Sequence, residues 1–142
     1  MLTSAILFAV FIGVAICAHQ VADHVFAQTD KVAINKTKAG WLGWSHILKH
    51  VVVYHLILLA MLLITVFILS IPATVVGVVL AIGFSAISHA ILDRRWPVKW
   101  ILDRIGSGEF AKMQTPLFGM YLADQGLHYF CLWVSALLFA VL

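Results

Sequence analysis

The sequence predicts an all-α, integral membrane four-helix bundle with one short amphipathic helix on its cytoplasmic side, and three observations carry that prediction. Hydrophobic residues make up 63% of the chain and charged residues only 11%, with a mean hydropathy of +1.06. That balance is foreign to a water-soluble domain of 142 residues. Four apolar stretches each supply the roughly 20 residues needed to cross a hydrocarbon core. Each stretch also carries two His or Asp side chains spaced four residues apart.

The first span is expected at about Leu2–Phe26. It lacks the leading positive charge and small-residue cleavage site of a secretion signal, so it reads as a retained span. The second is expected at about Trp44–Leu69 and the third at about Ala73–Asp93. Only Ser70-Ile71-Pro72 separates them, a tight turn that makes the two spans an antiparallel hairpin. The fourth is expected at about Leu117–Leu142. The remaining connections, Ala27–Gly43 and Arg94–Pro116, are longer and polar. Within the latter, Trp96–Ile105 reads as an amphipathic helix with Pro97 in its first turn and Gly106 at its end. Its Trp and Lys/Arg residues suit a lipid headgroup layer. No Pro-, Gly- or Ser-rich linker divides the chain, so residues 1–142 are expected to form one domain. Cys17 and Cys131 lie inside apolar spans and read as small packing residues rather than a disulfide.

The formal net charge is +3, yet no Lys/Arg block suggests nucleic acid. All nine basic residues fall in the two long connections or the adjoining start of the second span: Lys31, Lys36, Lys38, Lys49, Arg94, Arg95, Lys99, Arg104 and Lys112. The positive-inside rule therefore expects both connections in the cytoplasm, with both termini and the Pro72 turn outside.

That orientation gives the spaced residues a common depth. The pairs are His19/Asp23, His46/His50, His89/Asp93 and Asp124/His128. Four residues is about one helical turn, so each pair shares a helix face. The order His-then-Asp in the inward spans becomes Asp-then-His in the fourth, outward one. Stacked together, the helices would present a deeper tier of His19, His50, His89 and His128 and a shallower tier of Asp23, His46, Asp93 and Asp124. Carboxylates are costly in lipid and should face the bundle interior. Three neighbouring Asp need a cation, and neutral His with ionised Asp suits one or two divalent ions, zinc first, with manganese or iron also fitting. A hydrogen-bonded polar core or a proton relay is the alternative use of the same residues. Nearby, Gln28, Lys36 and Tyr54 could contact a bound group, with interhelical hydrogen bonding and a solvated loop charge as their plainer roles.

The runs His19-Gln20-Val21-Ala22-Asp23, Gln28-Thr29-Asp30, Asn35-Lys36-Thr37-Lys38, His50-Val51-Val52-Val53-Tyr54, Ser88-His89-Ala90-Ile91-Leu92-Asp93 and Asp124-Gln125-Gly126-Leu127-His128 resemble the motifs of a known family. They look like those of small bacterial and phage membrane proteins grouped as domain of unknown function 3307. The resemblance covers nearly the whole chain; His24 and the long Arg94–Pro116 connection depart from the usual pattern. It implies a bacterial inner-membrane location and a fold and site, rather than an activity. A distant similarity to membrane-embedded metal-dependent hydrolases, built from four-helix units with His and Asp in their spans, raises hydrolysis as an associational expectation.

Three function classes follow. In the first, a metal-dependent hydrolase acts on a lipid ester or phosphoester at the cytoplasmic leaflet. One of Asp23, Asp93 and Asp124 then serves as general base, and Lys36 or Arg94 holds an anionic headgroup. In the second, a noncatalytic module uses a metal or polar core as a staple. In the third, protons or divalent ions are transported or sensed, against which stands the apolar outer half of all four spans. A second copy of the chain could cover any apolar face.

Overall fold

The computed structural model describes residues 2–142, all helix and connection, with no strand among them. Helix α1, Leu2–Val21, runs into a π-helical turn, Ala22–Phe26. After it come α2, Asp30–Asn35; α3, Gly40–Ile68; α4, Val75–Leu92; α5, Trp96–Arg104; α6, Gly108–Lys112; and α7, Gly119–Val141. Helix α1 with its π turn, α3, α4 and α7 are each long and apolar enough to cross a membrane. They stand in a ring in chain order, α1 beside α3, α3 beside α4, α4 beside α7 and α7 beside α1.

Local chemistry sets the boundaries. Thr74 caps α4 by accepting the Gly77 N–H at 2.9 Å, just after the Pro72 turn. Thr29 likewise caps α2, accepting from Val32 N–H at 3.3 Å. Two elements go beyond the sequence expectation, because short capped turns carry no hydrophobic periodicity. Helix α2 occupies part of the first long connection, and α6 follows α5 in the second. Helix α3 also begins at Gly40 rather than near Trp44, and Gly40 itself, just after the extended Ala39, adopts a left-handed φ of 69°.

Away from the connections' end, the bundle interior is apolar. Phe11, Ala15, Leu58, Leu62, Ala81, Leu132 and Phe139 are buried there, and the Phe11 and Phe139 rings meet with centroids 5.0 Å apart. Exposed Phe67, Val75, Val79 and Ile87 coat the outside, as a lipid-facing surface requires. At the opposite end, Leu92, Val98, Leu102 and Ala111 form a second cluster that seats α5 and α6 against α7. The start of α7 passes so close to α6 that a Cβ on Gly119 would overlap the Phe110 carbonyl. Helix α5 is amphipathic as expected, burying Val98 and Leu102 and exposing Trp96 and Trp100.

Candidate metal centre

The four long helices bring one histidine each to a common layer inside the bundle. His19 stacks on His128 with ring centroids 5.5 Å apart. His128 meets His89 edge-on at 4.6 Å, and His89 lies 5.1 Å from His50. All four are buried. Asp23, Asp93 and Asp124 are buried just beside them, toward the long connections.

His50 shows how this cluster could hold a cation. Its Nδ1–H donates to the Ala27 carbonyl at 3.0 Å, so in the neutral imidazole Nε2 is a bare lone pair. That lone pair faces Asp23 Oδ1 at 2.8 Å, His89 Nε2 at 3.1 Å and Asp93 Oδ2 at 3.2 Å. His89 Nε2 in turn lies 3.7 Å from Asp23 Oδ1 and 3.6 Å from Asp93 Oδ2. With His50 Nε2 a lone pair, its contacts to the ionised Asp23 and Asp93 oxygens are acceptor against acceptor. Ligand atoms about 2.1 Å from a tetrahedral zinc ion stand about 3.4 Å apart, and the observed separations bracket that edge.

The unsatisfied atoms point the same way. Asp23 Oδ1, Asp93 Oδ2, Asp124 Oδ1 and His128 Nε2 are buried without hydrogen-bond partners, although native interiors pair nearly all such groups. His128 Nδ1–H donates to the Asp124 carbonyl at 2.8 Å, which again leaves its Nε2 a lone pair. Asp23, His50 and His89 form one group with ligand atoms within 4.8 Å of one another, and His89, Asp93 and His128 form a second. These buried His/Asp groups could hold a metal ion.

The ligand carbonyl for His50 comes from a local irregularity. In the π turn, Ala27 N–H donates to the Ala22 carbonyl at 2.8 Å, five residues back. Such single-turn expansions interrupt α-helices mostly at functional sites. Here the turn carries Asp23 and ends beside His50, whose orientation it fixes.

Other expected site residues are placed differently. His19 uses both ring nitrogens: Nδ1 lies 3.2 Å from the Tyr54 hydroxyl and Nε2 lies 3.0 Å from Gln125 Oε1. It lines the cluster as a hydrogen-bonded wall, and Tyr54 orients it. His46 stands apart, in a side cavity with Phe26, Thr29, Lys31 and Val32. His50 borders the same cavity from its other side, but His46 is in neither of the two groups whose ligand atoms converge. Lys36 joins the carboxylate tier instead. Buried, it donates from Nζ to Asp93 Oδ1 at 3.0 Å.

Arg94 is spent on the same connection. Its Nη1 donates to the Lys36 carbonyl and its Nη2 to the Lys38 carbonyl, both at 2.9 Å, while its guanidinium lies 5.1 Å from the Trp44 ring centroid. Gly43 leaves room for this clamp, since a Cβ there would overlap the Lys38 carbonyl and Arg94 itself. The carbonyls at the end of α2 have no helical partners, which is why a cation is drawn to them.

A cavity of about 120 Å³ opens onto the cluster, lined by Asp23, Gln28, Lys36, Arg95, Tyr121 and Asp124 among others. Gln28 Oε1 is buried there without a partner. His24, which also lines it, is hydrogen-bonded to the Tyr121 hydroxyl at 2.8 Å. Sequence reasoning missed Gln125, Tyr121 and Arg95. An uncharged amide inside the fourth span was a usable signal for Gln125. None distinguished Arg95 from Arg94. His55, five residues past His50 on α3, is buried and pairs across helices with Ser85, Nε2 to Oγ at 3.0 Å.

No curated protein and no solved structure matches the chain. A family model described as protein of unknown function (DUF3307) matches residues 10–142, a stretch that takes in the whole His/Asp cluster and the connections that close it. The four-helix ring and its buried His/Asp cluster are therefore those of a member of that family, to which this chain belongs.

Proposed function

We propose that the chain is a membrane-embedded, zinc-dependent hydrolase that cleaves an ester or phosphoester bond at the headgroup layer of the cytoplasmic leaflet. The observation that carries this reading is the convergence of His50 Nε2, His89 Nε2, Asp23 Oδ1 and Asp93 Oδ2, with a tautomer at His50 that leaves its Nε2 a lone pair facing the other three. The orientation rests on the basic residues. All nine lie in the connections or the start of α3, near the cluster's end of the bundle.

Asp23, His50 and His89 would hold the ion, with Asp93 and His128 completing it or holding a second. A bound divalent ion supplies Lewis acidity and lowers the pKa of a water molecule. The Ala27 carbonyl keeps His50 in its ligating tautomer, the outer-sphere role that tunes such sites. Lys36 neutralises part of the Asp93 charge. Asp124 borders the cavity and has a buried, unpartnered Oδ1, so it is suited to take a proton from water.

A structural staple is the second reading, favoured by the internally satisfied Lys36–Asp93 and His19–Gln125 contacts. The cavity reaching Asp23 and Asp124 favours the enzyme, because a purely structural shell is closed. Ion transport fits poorly with the apolar packing that fills the rest of the bundle.

The deciding measurement is metal per chain by elemental mass spectrometry on protein purified in detergent without chelator, beside Asp93→Ala and His128→Ala. Stoichiometric zinc in the parent protein and its loss from both variants is the expected result. Metal-free, fully stable parent protein would sink the reading. Turnover of lipid esters and phosphoesters, lost on chelation, then separates catalysis from stapling.

A further inference from the structure

Arg94 and Arg95 are neighbours in sequence and serve opposite sides of the molecule. Arg94 turns to the α2–α3 connection and is fully engaged by carbonyls there. Arg95 adopts a left-handed backbone with φ of 60°, a conformation unfavourable for any residue with a Cβ. Its N–H donates to the Leu92 carbonyl at 2.8 Å, which fixes the reversal. Strained backbone of this kind gathers at functional sites.

The reversal leaves Arg95 at the junction of two cavities. The smaller, of about 120 Å³, reaches the carboxylates of the metal centre. The larger, of about 300 Å³, is lined by Met113, Gln114, Phe118 and Met120. Only Arg95 and Tyr121 line both. The Arg95 side chain is exposed and has no ion-pair or hydrogen-bond partner among the described residues. An unengaged guanidinium between a ligand-lined floor and an apolar wall fits an anion that carries an apolar substituent.

We infer that Arg95 receives the phosphate group of an amphiphilic phosphate ester, with the apolar substituent lying along Met113, Phe118 and Met120. The inference rests on the hydrolase reading only for the bond that is then cleaved. A phosphate suits the junction better than a carboxylate, since two of its tetrahedral oxygens can meet the guanidinium as a bidentate pair while the others stay directed into the smaller cavity.

Calorimetric titration of zinc-loaded protein in phosphatidylcholine nanodiscs tests it, with empty nanodiscs as the blank. The probes are hexyl phosphate, inorganic phosphate and hexanoate. The expected result is at least tenfold tighter binding of hexyl phosphate than of either other probe. Arg95→Gly and Arg95→Asn should each lose at least tenfold of it while keeping the parent's zinc content. Both replacements tolerate the left-handed backbone, so a folding defect is not expected, and thermal unfolding checks this. Phe118→Ala should weaken hexyl phosphate and leave inorganic phosphate unchanged. Undiminished binding by the folded Arg95 variants overturns the inference. So does inorganic phosphate binding as tightly as hexyl phosphate, which would mark a free-phosphate site. Zinc-free parent protein instead defeats the hydrolase reading, and the Arg95 contrast is still read in the same titrations.

Discussion

The two halves of this bundle meet the same packing demand with opposite chemistry. In one half, Phe11, Leu58, Leu62 and Phe139 fill the interior. Lipid tails are as apolar as leucine, so these side chains hold the helices together by close packing rather than by leaving water. In the other half, the same four helices present histidines and carboxylates whose value depends on direction and on separations of 2.8–3.7 Å. The apolar half sets helix spacing, and the polar half converts that spacing into facing lone pairs that could hold a metal ion. A small shift costs the first half little and the second its ligand set.

The largest effect is expected from Asp93→Ala, which removes a proposed ligand and strands Lys36 as an uncompensated buried charge. Breaking one partner of such a pair costs about 3–5 kcal/mol, measurable by unfolding in detergent, and zinc should be lost. Adding Lys36→Met should recover most of the stability without recovering zinc, which separates the two roles of the carboxylate. Phe11→Ala comes next, at about 3–4 kcal/mol from the cavity left in a fully buried site. It should retain stoichiometric zinc; loss of zinc would show that the halves are not independent.

Gly43→Ala should cost about 1–3 kcal/mol by overpacking against the Lys38 carbonyl and the Arg94 clamp. Because Lys36 sits in the clamped segment, zinc affinity should fall with it, as read by chelator competition. His46→Ala should do least, within about 0.5 kcal/mol and with zinc content unchanged, since its ring is half-buried outside the cluster. A His46 variant that loses zinc would require α2 to move aside and redraw the boundary between the halves.

The histidine tier was legible because its cause is local. Spacing of four residues fixes a shared face, and reversal of residue order with helix direction fixes depth. The same logic failed to separate His46 from His50, because one face of a helix is not one environment. His50 Nδ1 is held by the Ala27 carbonyl so that its Nε2 meets the carboxylates, whereas His46, one turn earlier, borders only the side cavity. Lys36 read first as a loop charge and second as an anion contact. Its burial against Asp93 depends on α2, a six-residue helix set by the Thr29 cap rather than by any periodicity.

The chain's own composition and spacing determined four membrane-length helices, a tight turn at Pro72, and a slab of His and Asp near the basic connections. These follow from segment length, local periodicity and the cost of charge in lipid. Only the tertiary structure decided which lone pairs confront one another, that Lys36 rather than His46 enters the carboxylate tier, and that Arg94 clamps a connection while Arg95 faces the cavities. Those outcomes depend on contacts between residues distant in sequence and on one left-handed backbone position, neither of which a linear pattern encodes.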